Sequence, residues 1–180
     1  MSTTSFMSIT IRSLSIGELE NKLDEVAALL KASVDAGAGL GFLPPLAPAE
    51  AKVYWLSLRS ELRAGSRLLL AACAADRVVG TGQLAFAQHS NAPHRAELQK
   101  LFVDGALRGR GVGRLLVSAL HDAARQRGRS LLVLSTRHGL PPERFYRGLG
   151  YREAGLIPGF SRGPAGERYD SLTLYQELSS

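Results

Sequence analysis

The chain has 180 residues, of which 45% are hydrophobic and 21% are charged, and its formal net charge is +6. One core of ordinary size is expected from these values, no apolar run approaches the roughly 18 residues that span a bilayer, and the single Cys73 excludes an intrachain disulfide. We therefore expect one cytoplasmic domain over residues 1–180, with residues 1–6 disordered and with no membrane partner.

The hydrophobic pattern of the first third predicts a strand followed by two helices. A strand is expected over 8–14, and apolar residues at spacings of three and four then predict a helix from Leu19 to Gly37. A loop rich in Gly and Pro follows, and Pro48 begins a second predicted helix that ends at Gly65.

The rest of the chain is predicted to alternate between strands and helices. The expected elements are strands over 68–75, 78–88 and 95–103, a glycine-rich turn, a helix over 113–127, a strand over 130–136, a short helix over 142–149, a strand over 151–156, a loop, and a strand over 169–178. This order predicts a mixed α/β sheet, with antiparallel hairpins first and one right-handed parallel crossover later.

The turn after the strand over 95–103 has the composition of an anion-binding loop. Its glycines let the backbone approach a ligand, and the helix that starts there directs unpaired N–H groups and a positive dipole end towards it. Its arginines carry forked donors that suit phosphate oxygens. The turn therefore predicts a diphosphate site built from Arg108, Gly109, Arg110, Gly111, Val112, Gly113 and Arg114.

Other interpretations of this turn fit the residues less well. A dinucleotide fingerprint would need a third glycine where Arg114 stands and an acidic residue near the end of the next strand, and the run 131–137 has none. A P-loop would need a Gly-Lys-Ser/Thr ending, which is absent. A turn that only reverses the chain remains an alternative, and the diphosphate of an acyl-CoA is favoured.

Positive charge is concentrated between Arg95 and Arg152, where twelve basic side chains face four acidic ones. A nucleic-acid-binding protein would also be basic, but neither a Lys-rich tail nor a basic strand interleaved with aromatic residues is present. The phosphates of CoA account for part of the excess, so we expect no nucleic-acid partner. The four histidines lack metal-ligand spacing, so no metal is expected.

The chain resembles the GNAT superfamily of N-acetyltransferases in its order of elements, in the spacing Arg108-x-x-Gly111-x-Gly113 and in the later motif Phe145-Tyr146-x-x-Leu149-Gly150-Tyr151. The resemblance implies an α/β fold with a mixed, mostly antiparallel sheet of about seven strands, a V-shaped splay between the central strands, and about four helices. It also implies acetyl-CoA as donor, the primary amine of a small molecule as acceptor, and a homodimer.

Within that superfamily the chain is similar to the tabtoxin-resistance acetyltransferases of plant-pathogenic pseudomonads, in the segment 95–101, in the Gly41-Phe42 loop and in Pro158-Gly159-Phe160. Those enzymes acetylate a β-lactam amino-acid toxin, so the similarity implies a toxin or antibiotic as acceptor. A protein or peptide amine as acceptor, and an acyl-CoA-binding domain without turnover, are the alternatives.

The resemblance also implies how the donor is held. Its pantetheine arm would lie in the splay like an added strand and pair with the main chain of Leu101, Phe102 and Val103. An N–H group near Val103 would polarise the acetyl carbonyl. Phe145 would lie beside the cofactor.

Two side chains are predicted to carry the chemistry. Tyr146 stands where relatives place a tyrosine beside the sulfur, and its free pKa near 10 lets it hold a proton at neutral pH and donate it to the thiolate. Glu97 matches a carboxylate that is thought to act as base in the tabtoxin-resistance enzymes, and it shares a strand face with Gln99. A core aromatic and a solvated strand residue are the respective alternatives.

Acceptor selection is expected from side chains that flank the acetyl end in the resembling fold, namely Phe42, Trp55, Ser135 and Phe160. Two positions depart from the relatives. Ser135 stands where the tabtoxin-resistance enzymes carry a second carboxylate, so either Glu97 works alone through water or the amine is held differently. Gly139 stands where many members carry Asn, so contacts with CoA at that position are not carried over.

Overall fold

The structure, a computed structural model, describes residues 8–179, and the disorder expected for residues 1–6 lies outside that range. Its strands are β1 (Ile9–Ser13), β2 (Arg67–Ala74), β3 (Arg77–Phe86), β4 (Arg95–Val103), β5 (Leu131–Arg137), β6 (Arg152–Arg162) and β7 (Arg168–Glu177). Its helices are α1 (Ile16–Asn21), α2 (Leu23–Asp35), α3 (Pro48–Ser57), α4 (Arg59–Ala64), α5 (Val112–Gln126) and α6 (Pro141–Arg147).

The seven strands form one sheet in the order β1-β2-β3-β4-β5-β7-β6. All neighbouring strands are antiparallel except β4 and β5, which are parallel and are joined by the crossover through α5. The predicted mixed, mostly antiparallel sheet of seven strands is confirmed.

The four predicted helical segments are present, but the first two are each broken once. At Lys22 the backbone leaves the helical region, with φ −106° and ψ 16°, and the Lys22 ammonium bonds to the Glu25 carboxylate and to the Asp76 carbonyl. The second break, at Leu58, changes the backbone little. Hydrophobic spacing runs through both breaks, so it does not reveal them.

The prediction of a loop directly after residue 156 is wrong, because β6 continues to Arg162. β6 is an edge strand, where Pro158 removes no hydrogen bond between central strands. The pairing with β7 is irregular between Ile157 and Ser161, and the Gly159 N–H donates to Asp170 Oδ1 at 2.7 Å. Proline and glycine here mark an irregular strand rather than its end.

The sheet separates two hydrophobic layers. On one face Leu116 and Leu120 of α5 pack among buried residues of the strands, and Tyr146 of α6 joins them. On the other face α1 to α4 bury a second cluster that includes Trp55 and reaches Phe102 of β4. No helix within residues 8–179 is long and apolar enough to cross a membrane.

The central strands β4 and β5 pair over only a short distance. Arg95–Glu97 pair with Leu131–Val133, and from there β4 continues beside β3 while β5 continues beside β7 as far as Arg137. The strands therefore diverge towards their C-terminal ends, which is the V-shaped splay that was predicted.

Candidate active site

The gap between β4 and β5 opens into a cavity of about 870 Å³. Its walls come from the second half of β4 (97–103), the glycine-rich turn, the end of β5 (135–137), α6, and the loop that follows α2 (36–41). This volume lies in the range of small-molecule sites. The cavity brings Glu97, Tyr146 and the glycine-rich turn together.

The glycine-rich turn has an open backbone at the start of α5. Gly109 and Gly111 have positive φ values of 75° and 84°, and a Cβ atom placed on either would meet no atom of the described residues within 4 Å. Gly111 is the N-cap of α5, and no side chain of residues 8–179 caps the first N–H groups of this helix. The turn therefore presents free donors and the positive end of a 15-residue helix to open space.

The arginines of the turn differ in position. Arg108 and Arg114 line the cavity, whereas Arg110 is exposed and lies outside its lining. Val112 is buried in the core under the turn. Gly113 lies against Phe145, because a Cβ there would be 3.3 Å from the Phe145 ring, so Phe145 forms the wall beside the turn.

A bulge in β4 shapes the middle of the cavity. Between the pairs Thr81–Phe102 and Gln83–Gln99 the register slips, and Lys100 has a φ of +48° there. A bulge places two neighbouring side chains on one face, here Gln99 and Lys100. Beyond the bulge, the main chain of residues 101–103 has its outer edge in the gap, unpaired with β5.

Tyr146 lines the cavity from α6 and is 7% exposed. Its ring packs edge-on against Phe145 and Tyr151, at centroid distances of 5.2 and 5.5 Å, and within residues 8–179 its hydroxyl makes no hydrogen bond. Burial raises the pKa of Tyr146, because it disfavours the phenolate. The phenol therefore keeps its proton at neutral pH.

Glu97 lies where β4 and β5 part. It is the last β4 residue that pairs with β5, and it alternates with the buried Ala96 and Leu98, so its exposed side chain is on the face that it shares with Gln99. Among the described residues that line the cavity, Glu97 is the one carboxylate.

A network that sequence reasoning missed fixes the orientation of Gln99. Arg67 Nη1 donates to the side-chain oxygens of Gln83 and Gln99, each at 2.8 Å, and Arg67 Nε donates to Glu61 at 2.8 Å. Gln83 Nε2 donates to the Tyr54 hydroxyl at 2.9 Å. Because the Gln99 oxygen is occupied by Arg67, its NH₂ group is the part left to donate towards a ligand.

Of the four side chains predicted to select the acceptor, Ser135 lines the cavity and three lie outside its lining. Phe42 is half-buried and packs edge-on against Tyr54 at 5.5 Å. Trp55 is fully buried in the core beneath it. Phe160 is 63% exposed on β6, the edge strand.

Two basic side chains that the sequence did not single out also line the cavity, Lys100 and Arg137. The Lys100 ammonium lies 5.3 Å from the Tyr54 ring centroid and 5.8 Å from that of Phe42. The Arg137 guanidinium lies 4.1 Å from the Tyr169 ring centroid. The sequence does not predict that these two side chains line the cavity. Lys100 faces it because of the bulge in β4, and Arg137 faces it because β5 diverges from β4.

The sequence matches a known protein family over most of the segments that form the cavity. Residues 40–151, well over half of the chain, match the model described as "Acetyltransferase (GNAT) family". The matched segment runs from the loop after α2 to Tyr151 and therefore contains β4, the glycine-rich turn and α6.

Individual proteins give narrower likenesses. The "Putative phosphinothricin acetyltransferase YwnH" of Bacillus subtilis (strain 168) is 39% identical over 80 residues, which is 44% of this chain and 48% of that protein. The match thus spans about half the length of that relative.

Solved structures match nearly the whole fold. A structure described as "a putative phosphinothricin N-acetyltransferase" is 25% identical, with a TM-score of 0.77 over 96% of this chain and 100% of that one. For yncA of Salmonella typhimurium, "a putative acetyltransferase" solved "with its cofactor Acetyl-CoA", the identity is 17% and the TM-score is 0.76 over 96% and 95% of the two chains.

Proposed function

The chain belongs to the GNAT family of acetyltransferases, and from that premise we propose that it is an acetyl-CoA-dependent N-acetyltransferase acting on the primary amine of a small molecule. One observation carries the proposal: a single cavity joins the open glycine-rich turn to the splay and has Glu97 and Tyr146 in its walls. The names of two relatives, which both refer to phosphinothricin, support an amino-acid-like toxin or antibiotic as acceptor.

The residues of the cavity fit acetyl-CoA. The free space over Gly109 and Gly111, the uncapped start of α5, and the side chains of Arg108 and Arg114 suit a diphosphate. The unpaired main-chain edge of residues 101–103 suits the amide groups of the pantetheine arm. When bound, acetyl-CoA supplies the acetyl group as an activated thioester.

The side chains of the site divide the proton transfers between them. Glu97 accepts a proton from the incoming ammonium group, directly or through one water, which frees the nitrogen for attack on the acetyl carbonyl. A main-chain N–H near Val103 donates to the carbonyl oxygen as negative charge develops on it. Tyr146 donates its phenolic proton to the departing sulfur, and the proton that the attacking nitrogen loses as it becomes an amide returns the phenolate to its neutral form.

The composition of the cavity wall supports Glu97 as the single base. Ser135 stands at the end of β5, where a second carboxylate would otherwise serve, and a hydroxyl does not accept a proton at neutral pH. We propose that the acetyl group passes directly from donor to amine in a ternary complex. Cys73, the one cysteine of the sequence, has no part in this transfer, because it is buried in β2 outside the cavity wall.

The proposed function is tested by titrating the purified protein with acetyl-CoA and then following thiol release with a panel of amines. The panel contains L-phosphinothricin, α-amino acids, aminoglycosides, polyamines and a peptide. We expect saturable binding and thiol release that depends on a small-molecule amine. Absence of binding would overturn the proposal, and binding without release for any amine would favour a non-catalytic acyl-CoA-binding domain.

We expect the substitution Glu97→Gln to lower kcat/KM about 10- to 100-fold at neutral pH, because an amide cannot accept the ammonium proton. The difference in kcat/KM between the variant and the unsubstituted protein should be largest at low pH. It should become smaller as the pH approaches the pKa of the amine, because the acceptor then arrives already deprotonated. The measurement is kcat/KM for the best acceptor between pH 6 and 10.

Gln99→Glu is the companion to this substitution, because it places a carboxylate two residues further along the same strand face. In the double variant Glu97→Gln, Gln99→Glu we expect activity to stay low, since Arg67 holds the side chain at position 99. If kcat/KM of Glu97→Gln depends on pH in the same way as kcat/KM of the unsubstituted protein, Glu97 is not the base.

A further inference from the structure

Lys100 and Arg137 are two cationic side chains that the proposed reaction does not use. Both are half-buried in the cavity wall, and within residues 8–179 neither forms an ion pair. Burial lowers the pKa of Lys100, the nearby Arg67 lowers it further, and Glu97 acts in the opposite direction. Hydrogen bonds from main-chain N–H groups lower the pKa of the Glu167 carboxyl, and the Arg137 guanidinium helps to lower it, but neither Glu97 nor Glu167 forms an ion pair with the nearby cation. Two half-buried cations without a carboxylate in direct contact leave room for an anionic ligand between them.

The two cationic groups converge on one short loop. A Cβ atom at Gly39 would lie 2.7 Å from Arg137 Nε, and one at Gly41 would lie 3.6 Å from Lys100 Nζ. The loop therefore passes directly over both side chains, and any side chain at position 39 would force the guanidinium of Arg137 to move from its present place. Aromatic rings on the other side, Tyr54 for Lys100 and Tyr169 for Arg137, hold the cations in place.

This pair lies away from the expected diphosphate position. Lys100 and Arg137 contact rings and loops on the sheet face covered by α1 to α4, whereas α5, whose start would hold the diphosphate, packs against the opposite face. The pair shares its face with Glu97 and with the oriented NH₂ group of Gln99. Base, amide donor and cations thus surround the acceptor half of the cavity.

We infer that the acceptor is an amine that carries an anionic oxyacid group, such as a carboxylate, and that Lys100 and Arg137 bind this group while the amine faces Glu97. This inference rests on the proposed function. A carboxylate would place a negative charge in direct contact with both cations and would accept charge-assisted hydrogen bonds from them. The planar guanidinium of Arg137 can bind both carboxylate oxygens at once, whereas the ammonium of Lys100 contributes a compact positive charge.

The test offers acceptors in matched sets that share a side chain: the free amino acid, its neutral amide, and the amine without the carboxyl group. They are assayed with the unsubstituted protein and with Lys100→Met and Arg137→Gln. We expect the unsubstituted protein to favour the carboxylate member, and each variant to reduce that preference about 10- to 100-fold, mainly through KM. Because preferences are compared between variants, differences in amine basicity cancel.

Arg63→Gln is the control for lost charge, because Arg63 is exposed on α4 and lies outside the cavity. It should keep the preference of the unsubstituted protein. Equal rates for acid and amide, a preference that survives in both variants, or an equal effect of Arg63→Gln would overturn the inference and leave the proposed function intact. Acetyl-CoA binding with no acetylation of any carboxylate-bearing amine would also overturn it, whereas a failure to bind acetyl-CoA would remove the proposed function itself.

Discussion

The substitution Tyr146→Phe should lower kcat about 100- to 1,000-fold while the dissociation constant for acetyl-CoA changes less than about twofold. The change removes one hydroxyl that makes no hydrogen bond within residues 8–179, and the ring contacts with Phe145 and Tyr151 are kept. The loss should therefore appear in turnover rather than in folding or binding. Steady-state kinetics and calorimetric titration of the same preparation measure both quantities.

Tyr151→Phe is a matched control for this substitution. Tyr151 is also buried, its ring packs against Tyr146, and its hydroxyl bonds to His121 Nε2 at 2.9 Å rather than lining the cavity. Removing that hydroxyl should cost about 1 kcal/mol of stability and leave turnover within a few-fold. Equal losses of turnover in the two variants, or a parallel loss of acetyl-CoA affinity in Tyr146→Phe, would contradict a role as acid.

The raised pKa of Tyr146 also predicts the alkaline behaviour of the unsubstituted protein. The group must be protonated to act as an acid, and burial moves its deprotonation above the ordinary value near 10. We expect no fall in kcat up to about pH 10 from this residue. A fall with a midpoint near pH 8 that is missing in Tyr146→Phe would contradict the assignment.

The second large effect is expected from Gly111→Val, which should weaken acetyl-CoA binding about 100-fold or more. The backbone at Gly111 has a φ of +84°, where a β-branched residue is strained by roughly 1–3 kcal/mol, and the new side chain would enter the free space above the turn. Both the geometry of the N–H groups and the room for the phosphates would be lost.

Gly105→Val separates this effect from a general response to a larger side chain. Gly105 precedes the turn, its φ is not in the left-handed region, and a Cβ there meets no atom within 4 Å. It also lies outside the lining of the main cavity. We expect unchanged acetyl-CoA affinity for this variant by calorimetry, with thermal unfolding as the check on folding. Unchanged affinity in Gly111→Val would refute the assignment of the turn.

Local patterns were sufficient to predict the order of strands and helices along the chain and the glycine-rich turn, whereas the splay was expected only from the family resemblance. Gly109 and Gly111 could be identified as turn residues because glycine adopts a positive φ without strain, so the residue type alone is informative. The helix α5 could be identified from the spacing of its apolar residues. The placement of Glu97 on one strand face followed in the same way from alternation.

The remainder of the site depends on contacts between distant residues. Arg67 lies 32 residues from Gln99 and 16 from Gln83, and nothing in either segment indicates the other. The bulge at Lys100 arises from the pairing of β4 with β3, so strict alternation misplaces every side chain after it. The same limitation applies to Trp55 and Phe160, because only packing distinguishes an aromatic residue of the core from one at the surface.

The short pairing between β4 and β5 divides the sheet into two halves that are weakly connected through the backbone. Three residue pairs, together with the His94 carbonyl that accepts from the N–H groups of Ser130 and Leu131, join the four strands β1 to β4 to the three strands β5 to β7 through the backbone. Elsewhere the two halves are held together by side-chain packing against α5 and α6. A ligand in the gap between β4 and β5 takes the place of a strand that would connect the two halves of the sheet. Ligand binding should therefore hold the two halves more rigidly together. By thermodynamic linkage, a change that stiffens the pairing of β4 with β5 in the bound arrangement should also raise the ligand affinity.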